Sequence, residues 1–163
     1  MSFLKLLKFI GLFVFLGVLY LAGDLIANNA AFINTPGPMD RLRIYLTLNR
    51  AWTTGGYPLP EVTSQVFYGN GEKLRTNILT SIRGFSGWKI QKKEARDLDV
   101  LVSSSFWHRP SRIEIFLVPV SGGLRMDVVS RSLSKIPDLG ANRNYILNLY
   151  HAIGDENAIH PPV

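Results

Sequence analysis

The longest feature of the hydrophobic pattern is an uncharged run from Phe9 to Gly23, which follows Lys5 and Lys8. A helix from Leu6 to Ile26 would be roughly 31 Å long and would match the ~30 Å hydrocarbon core of a bilayer. The run is apolar on every face, which disfavours a core helix of a soluble domain. The pattern predicts a membrane anchor over residues 1–27, and a cleavable signal peptide stays open as the alternative.

The charges around this run predict its orientation. Two lysines precede it, and no lysine or arginine follows before Arg41. Positive residues flanking a span remain on the cytoplasmic side. We therefore expect a single-pass protein of the inner (cytoplasmic) membrane, with its N-terminus in the cytoplasm and its C-terminal domain periplasmic or external.

The next segments are a linker, a strand and a loop. Residues 28–39 are predicted as a linker because they contain Pro36-Gly37-Pro38. After it, Leu42, Ile44, Leu46 and Leu48 alternate with polar or aromatic residues, and this period of two predicts a strand. A helix beginning at Asp40 is the competing interpretation. The glycines and prolines of residues 53–60 predict a loop, and residues 62–68 a short edge strand.

The remainder of the chain predicts a helix, four strands and a second helix. Apolar residues three or four apart predict a helix from about Glu72 to Arg83 that ends at Gly84 or Gly87. Four alternating runs between residues 88 and 132 with short connections predict an antiparallel meander. The second helix would begin at Asp138 or Leu139, with Asp138 as N-cap, bury Ile146, Leu147, Tyr150 and Ile153, and end at Gly154. The predicted class is α+β: an antiparallel sheet (the meander plus the N-terminal strand) with two packed helices over residues 40–154, one transmembrane helix before it, and a loose tail over 155–163.

The last two strands can be aligned with each other. If Gly122-Gly123 is the two-residue turn, Leu117 faces Val128 and Ile115 faces Ser130. Glu114 then lies opposite Arg131, which favours a cross-strand ion pair.

One stretch, Val128–Arg143, concentrates polar groups where a strand ends and a helix begins. Its candidate site residues are Ser130, Arg131, Ser132, Asp138, Gly140, Asn142 and Arg143, with Ser134 beside them. A helix N-terminus and two guanidiniums could bind an anion or a lipid headgroup. The alternative, which we favour, is structural: Asp138 caps the helix, Arg131 pairs with Glu114 or Asp138, and Arg143 pairs with Asp138.

Other chemistry has little support in the sequence. The three histidines, His108, His151 and His160, form no pattern with a serine nucleophile or a metal-ligand set, and the chain has no cysteine. Six aromatic residues could line an apolar groove, although core packing is the simpler interpretation: Trp52, Tyr57, Trp88, Phe106, Trp107 and Phe116. Without Lys5 and Lys8 the chain has 16 basic and 12 acidic residues, which are scattered, so we expect no nucleic-acid partner.

The stretch from Ser130 to Arg143, S-R-S-x-S-x-x-x-D-x-G-x-N-R, resembles the signature of the bacterial DUF1499 family. The resemblance covers roughly Asp40 to Ile153, including the order of helix, tryptophan-led strand, meander and closing helix. Many members carry an Asn-Cys-Val-Ser-Ser motif that this cysteine-free chain lacks, so it resembles a divergent subgroup. The resemblance implies an N-terminal membrane segment and no established activity.

Together these patterns predict a membrane-anchored, envelope-facing, non-enzymatic binding or accessory module that needs no cofactor or metal. Its expected partners are the lipid bilayer and, alternatively, a membrane protein. A periplasmic domain that binds a lipid or another apolar ligand is the second hypothesis, and an enzyme is the third.

Overall fold

The computed structural model describes residues 3–103 and 110–157. Within these ranges the chain forms four helices and an antiparallel sheet of six strands, so the predicted α+β class is confirmed. The elements in chain order are α1 (Phe3–Ala27), α2 (Pro38–Thr47), β1 (Arg50–Trp52), β2 (Gln65–Tyr68), α3 (Gly71–Gly84), β3 (Trp88–Lys93), β4 (Asp97–Ser103), β5 (Pro110–Val120), β6 (Gly123–Ser132) and α4 (Ala141–Asn157). The predictions for Phe106, Trp107, His108 and His160 lie outside the described residues.

The sheet contains the predicted meander and two further strands. Consecutive strands from β3 to β6 pair antiparallel, as the short connections indicated. Beyond the meander, β6 pairs with β2 along its first half and with β1 along its second half. The strand order is therefore β1-β6-β5-β4-β3, with β2 also paired to β6.

Helices α3 and α4 pack against each other and on one face of the sheet, where they bury the main core. Helix α3 begins where the Asn70 side chain accepts hydrogen bonds from the backbone N–H groups of Glu72 and Lys73. Its buried positions are Leu74, Ile78, Leu79 and Ile82, which confirms the predicted amphipathic face. They fill the space above the sheet together with Val100, Val102, Ile113, Ile115, Leu117, Met126, Val128, Ile146, Leu149, Tyr150 and Ile153.

Three predicted details of α4 were wrong. The helix begins at Ala141 instead of Asp138 or Leu139, because Leu139 and Gly140 have φ angles of 53° and 88° and form a turn before it. Leu149 occupies the buried face, whereas Leu147 is half-buried. The helix continues past Gly154 to Asn157, since a single glycine lowers helix stability without preventing it.

The strand predicted from Leu42 to Leu48 is wrong, because these residues belong to helix α2. Pro38 lies at the start of the helix and Asp40 in its first turn, both favourable positions. The buried residues of α2 are Arg41 and Tyr45, four positions apart on one helical face. The alternating leucines share no buried face, and Leu46 is exposed. Because one of the two buried positions is an arginine, the pattern of hydrophobic residues does not show the helical period.

The predicted β5–β6 register is also wrong, by two residues. Val120 pairs with Gly123, so Ile115 faces Val128 and Ile113 faces Ser130. The turn consists of Ser121 and Gly122, whose φ is 76°. Gly123 is a strand residue instead, and a Cβ there would lie 2.2 Å from the carbonyl oxygen of Phe67 on β2. A shift of two residues preserves which side chains share a face but changes every cross-strand partner.

Helix α1 has the length and composition to cross a membrane. It contains 25 residues, and its most apolar window has a mean hydropathy of 2.3 with 6% of that window buried. Its last turns are different, because Asp24 and Leu25 are buried against the rest of the protein. Leu25 belongs to a second cluster, separate from the main core, with Tyr45, Leu59 and Leu139.

Candidate functional site

The polar stretch that begins at Ser130 is divided between the two faces of the sheet. Ser130 is fully buried on the face covered by α4, and its hydroxyl donates a hydrogen bond of 2.6 Å to Oδ1 of Asn142. The side chain of Arg131, the next residue, projects from the opposite face of the sheet, because side chains alternate along a strand. The structure therefore does not bring Arg131 and Arg143 together, and a single anion cannot be held between their guanidiniums.

Asp138 occupies the start of α4 with its own carboxylate. Its Oδ1 accepts from the backbone N–H of Gly140 at 2.9 Å, and its Oδ2 accepts from the backbone N–H of Asn142 at 3.1 Å. Burial raises the pKa of Asp138, and the hydrogen bonds from Gly140 and Asn142 oppose that rise. The carboxylate therefore occupies the N–H groups of Gly140 and Asn142, and the Ala141 N–H donates to the Asp138 backbone carbonyl, so these three groups are not free to bind an anion.

Asn142 joins the sheet, the helix start and the loop after α2. Its amide donates to the carbonyl oxygen of Asn49 at 2.8 Å and to Oδ2 of Asp138, while its oxygen accepts from Ser130. The side chain is fully buried, and all these partners are groups of the same chain. Gly140 belongs to the same region, where a Cβ would lie 3.2 Å from the ring of Tyr45. This part of the predicted site is a satisfied structural network.

The remaining serines and Arg131 lie at the exposed end of β6. The hydroxyl groups of Ser132 and Ser134 are 3.0 Å apart. Arg131 forms a long ion pair of 3.7 Å with Glu114. The two residues are not direct cross-strand partners, because Glu114 faces Val129. Arg131 lies instead between Arg50 on β1 and Arg112 on β5, and these three residues define what we call the arginine row.

The arginine row concentrates positive charge on the face turned away from α3 and α4. Like charges directly opposite each other destabilise a sheet. Nearby carboxylates compensate in part: Arg112 Nε lies 3.3 Å from Oδ1 of Asp99, and Glu114 lies near Arg131. The sequence did not predict this row, because the predicted β5–β6 register was wrong by two residues and placed Glu114 instead of Arg112 opposite Arg131.

Arg143 pairs with Glu61 instead of Asp138. Its Nε donates to Oε1 of Glu61 at 2.6 Å, and its Nη1 donates to the carbonyl oxygen of Asn29 at 3.1 Å. Glu61 also accepts two hydrogen bonds of 2.8 Å from Arg41. Two buried arginines thus share one carboxylate, and we call Arg41, Glu61 and Arg143 the ionic clamp.

The ionic clamp binds the segment that follows α1. Arg41 donates to the carbonyl oxygens of Ala31 at 3.0 Å, Asn34 at 2.9 Å and Thr35 at 2.5 Å. The Tyr45 hydroxyl also donates to the Ala31 carbonyl at 3.2 Å. Backbone carbonyls that would otherwise bind water are therefore held by the folded domain. The segment predicted as a linker is therefore held to the domain by its backbone carbonyls, although most of its side chains are exposed.

Apolar contacts and one amide reinforce this junction. Phe32 packs edge-on against Tyr45, with ring centroids 5.7 Å apart. The Asn28 amide donates to the carbonyl oxygen of Leu139 at 3.2 Å. Leu25 and Leu59 complete the small core beneath these contacts. The end of α1 and the folded domain consequently form a continuous packed unit.

Glu61 is ionised throughout the physiological range. Burial alone would raise the pKa of Glu61, but hydrogen bonds from Arg41, its own backbone and Arg143 lower it to about 2. A carboxylate with this pKa and two guanidinium partners is a poor general acid or base at neutral pH. The clamp therefore has the chemistry of a structural ion cluster.

The pKa of Glu61 predicts an acid-sensitive fold. Because the pKa is lower in the folded chain than the ordinary 4.5, the stability from Glu61 is complete above pH 4.5 and is lost as the pH falls towards 2. The expected loss is about 3 kcal/mol, from about 1.36 kcal/mol per pKa unit. Denaturant unfolding of wild type and Glu61→Gln between pH 7 and pH 2 measures it. The difference between the two proteins should narrow with acid, and a constant difference would contradict the pKa.

The aromatic residues pack mainly against one another. Trp52 and Tyr57 make an edge-on contact with ring centroids 5.0 Å apart, and Trp88 packs between Phe85 and Tyr145. Phe116 differs, since it lies on the face away from the helices and is 37% exposed. His151 is exposed on α4. Core packing therefore accounts for Tyr57 and Trp88, whereas Trp52 and Phe116 lie on the face away from the helices.

Sequence reasoning missed Arg41, Tyr45 and Glu61, the central residues of the junction. A helical interpretation of residues 38–47 would have placed Arg41 and Tyr45 on one face, and that alternative was available. Glu61 lies in a loop with no local pattern that marks it.

No family model, curated protein or solved structure matches this chain.

Proposed function

We propose that the protein is a single-pass, non-enzymatic accessory module that holds a binding surface at a fixed position on the outer side of the cytoplasmic membrane. The observation that carries this proposal is the junction after α1. Arg41 and Arg143 bind four backbone carbonyls of residues 29–35, and Leu25 is buried against Tyr45 and Leu59. A module on a free tether needs no such contacts.

The same contacts support an uncleaved anchor. Removal of residues 1–27 would take Leu25 and Asp24, both buried, away from the domain. It would also expose the apolar groups of the cluster around Tyr45. A cleaved signal peptide makes no lasting contact with the mature protein, so these contacts favour the anchor.

The face of the sheet away from the helices is the surface that we assign to a partner. It carries the arginine row and the exposed ring of Phe116. Exposed aromatic and arginine side chains are the residue types enriched in protein interfaces. An envelope-facing membrane protein with an acidic surface is the partner that this chemistry suits. Membership of the DUF1499 family stays a further proposal, and it would assign no activity.

The anchor and its orientation can be tested on the full chain. Intact mass of protein extracted from membranes should correspond to the whole 18.3 kDa chain, whereas a chain starting between Ala27 and Phe32 would contradict the anchor. A phosphatase reporter that is active only outside the cytoplasm, fused after Val163, should be active. Normal expression with a silent reporter would show the reverse orientation.

The assignment of the partner surface is tested by comparing two charge-reversal variants. Arg131→Glu reverses one charge in the arginine row, and Lys73→Glu makes the same change on the exposed surface of α3. Both positions are exposed, and Arg131 takes part only in an exposed ion pair, so neither variant should change stability by more than about 1 kcal/mol. A true partner, recovered with wild type from mild detergent, should be lost from Arg131→Glu and retained by Lys73→Glu. Equal recovery with both variants would overturn the assignment of this face.

A further inference from the structure

A small apolar cleft lies between α1 and the folded domain. It has a volume of about 130 Å³, and its walls are formed by Tyr20 and Leu21 of α1, Leu46 of α2, and Ile136, Pro137 and Leu139 of the loop before α4. Binding sites for drug-sized ligands are larger, at about 300–1,000 Å³. An apolar cavity of about 150 Å³ holds a molecule the size of benzene. The cleft therefore suits a short section of a flexible chain.

The position of the cleft along α1 determines its surroundings. About twenty helical residues cross the hydrocarbon core, so a span that begins at Phe9 ends near residue 28. Leu21 would then lie roughly 10 Å inside the outer boundary of the hydrocarbon, and still roughly 5 Å inside it if Asp24 marks that boundary. The domain residues that share the cleft with Leu21 must lie at a similar depth.

The loop that forms the outer wall of the cleft has the composition of a membrane-contacting surface. Ile136 is 57% exposed and Leu133 is 52% exposed, and both lie in one short segment beside the apolar cleft. Exposed apolar residues grouped in this way mark contacts with a protein or a membrane, whereas single ones do not. Lys135 lies between them and is exposed. On α2, exposed Arg43 precedes Leu46 by three residues, which places a basic group beside the cleft. Apolar tips flanked by basic residues suit a bilayer with anionic headgroups.

We propose that the segment Leu133–Pro137, which we call the lip, inserts into the outer leaflet beside α1, and that the cleft is occupied by an acyl chain of a membrane lipid. Lys135 and Arg43 then lie at the level of the headgroup phosphates. This inference rests on the proposed membrane span of α1. It adds that the domain itself is partly embedded and that lipid forms part of its packed surface.

The absence of cysteine from the chain makes a direct test possible. Single cysteines are introduced as Ile136→Cys and Leu133→Cys in the lip, Leu12→Cys within the span, and Ser121→Cys as the water-exposed control. Ser121 lies in the β5–β6 turn, roughly 30 Å along β6 from the lip. Each full chain is labelled with an environment-sensitive fluorophore and placed in nanodiscs of phosphatidylcholine and phosphatidylglycerol. Quenching is measured with aqueous iodide and with lipids that carry a nitroxide on the acyl chain.

The lip labels should behave as the Leu12 label does. We expect quenching by the lipid nitroxide and a severalfold weaker response to iodide than at Ser121. If Leu12 is lipid-exposed while both lip labels respond to iodide as Ser121 does, the inference is overturned and the proposed anchor stands. If Leu12 is itself water-exposed, the proposed function fails as well. Protection of the lip from both quenchers would show that protein, such as a second copy of the chain, occupies the cleft, and would also overturn the inference.

Discussion

Glu61→Ala is expected to lower the free energy of unfolding by about 3–5 kcal/mol, the usual cost of leaving a buried charge without its partner. Arg41 is fully buried and the side chain of Arg143 is 6% exposed, so neither guanidinium can recover its hydration when the carboxylate is removed. Arg41 would retain its backbone carbonyl partners, which satisfy its hydrogen bonds but not its charge. The expected consequence is local unfolding of the junction between α1 and the domain.

The matched control is Glu114→Ala. Glu114 pairs with an arginine too, but the distance is 3.7 Å and the Arg131 side chain is 48% exposed. An exposed pair contributes about 0–1 kcal/mol. Denaturant unfolding in detergent micelles, followed by tryptophan fluorescence, reports on the domain because Trp52 and Trp88 lie in its strands. Equal losses in the two variants would mean that the clamp is as well solvated as a surface pair.

Asn142→Ala is expected to cost about 3 kcal/mol, because each buried group left without a hydrogen bond costs about 1–3 kcal/mol. The change leaves the buried Ser130 hydroxyl without its partner. It also removes one contact to Asp138 and one of two hydrogen bonds to the Asn49 carbonyl, which still accepts from the backbone N–H of Ser132. Asn144→Ala is the control, since Asn144 is a half-buried asparagine of the same helix. Its substitution should cost less than about 1 kcal/mol.

The same variants decide between a structural network and an anion site at the start of α4. Millimolar phosphate at constant ionic strength should raise the melting temperature of neither wild type nor Asn142→Ala, because the Asp138 carboxylate already accepts from the helix N–H groups. A ligand that binds only the folded state would raise it. Stabilisation of wild type that Asn142→Ala lacks would contradict the structural interpretation and move headgroup binding to first place.

Local pattern was sufficient for several elements. The apolar run of α1 and the period of Leu74, Ile78 and Ile82 in α3 are properties of consecutive residues. The meander also follows from alternation and short connections. The faces of β5 and β6 were predicted correctly even though the register was wrong, since a shift of two residues leaves each side chain on the same face.

The site was less predictable than the fold. Asp138 was expected to be the N-cap of the last helix. Its carboxylate does accept hydrogen bonds at the helix start, but Asp138 lies three residues before Ala141, two residues further upstream than the N-cap position. The partner predicted for Arg143 was Asp138, but Glu61 takes that place. Charge and spacing indicate that an arginine needs a partner, but they do not select among carboxylates that are distant in sequence.

The sequence by itself determined an apolar helix followed by an α+β domain, because helix and strand periods are set by neighbouring residues. Tertiary structure decided the conformation of residues 38–47, the β5–β6 register and the clamp. Glu61 meets Arg143 across 82 positions, and Asn142 meets Asn49 across 93. Residues so far apart are brought together only by packing. A buried arginine is stable only when packing supplies its carboxylate and carbonyl partners, because desolvating a charge without them costs several kcal/mol.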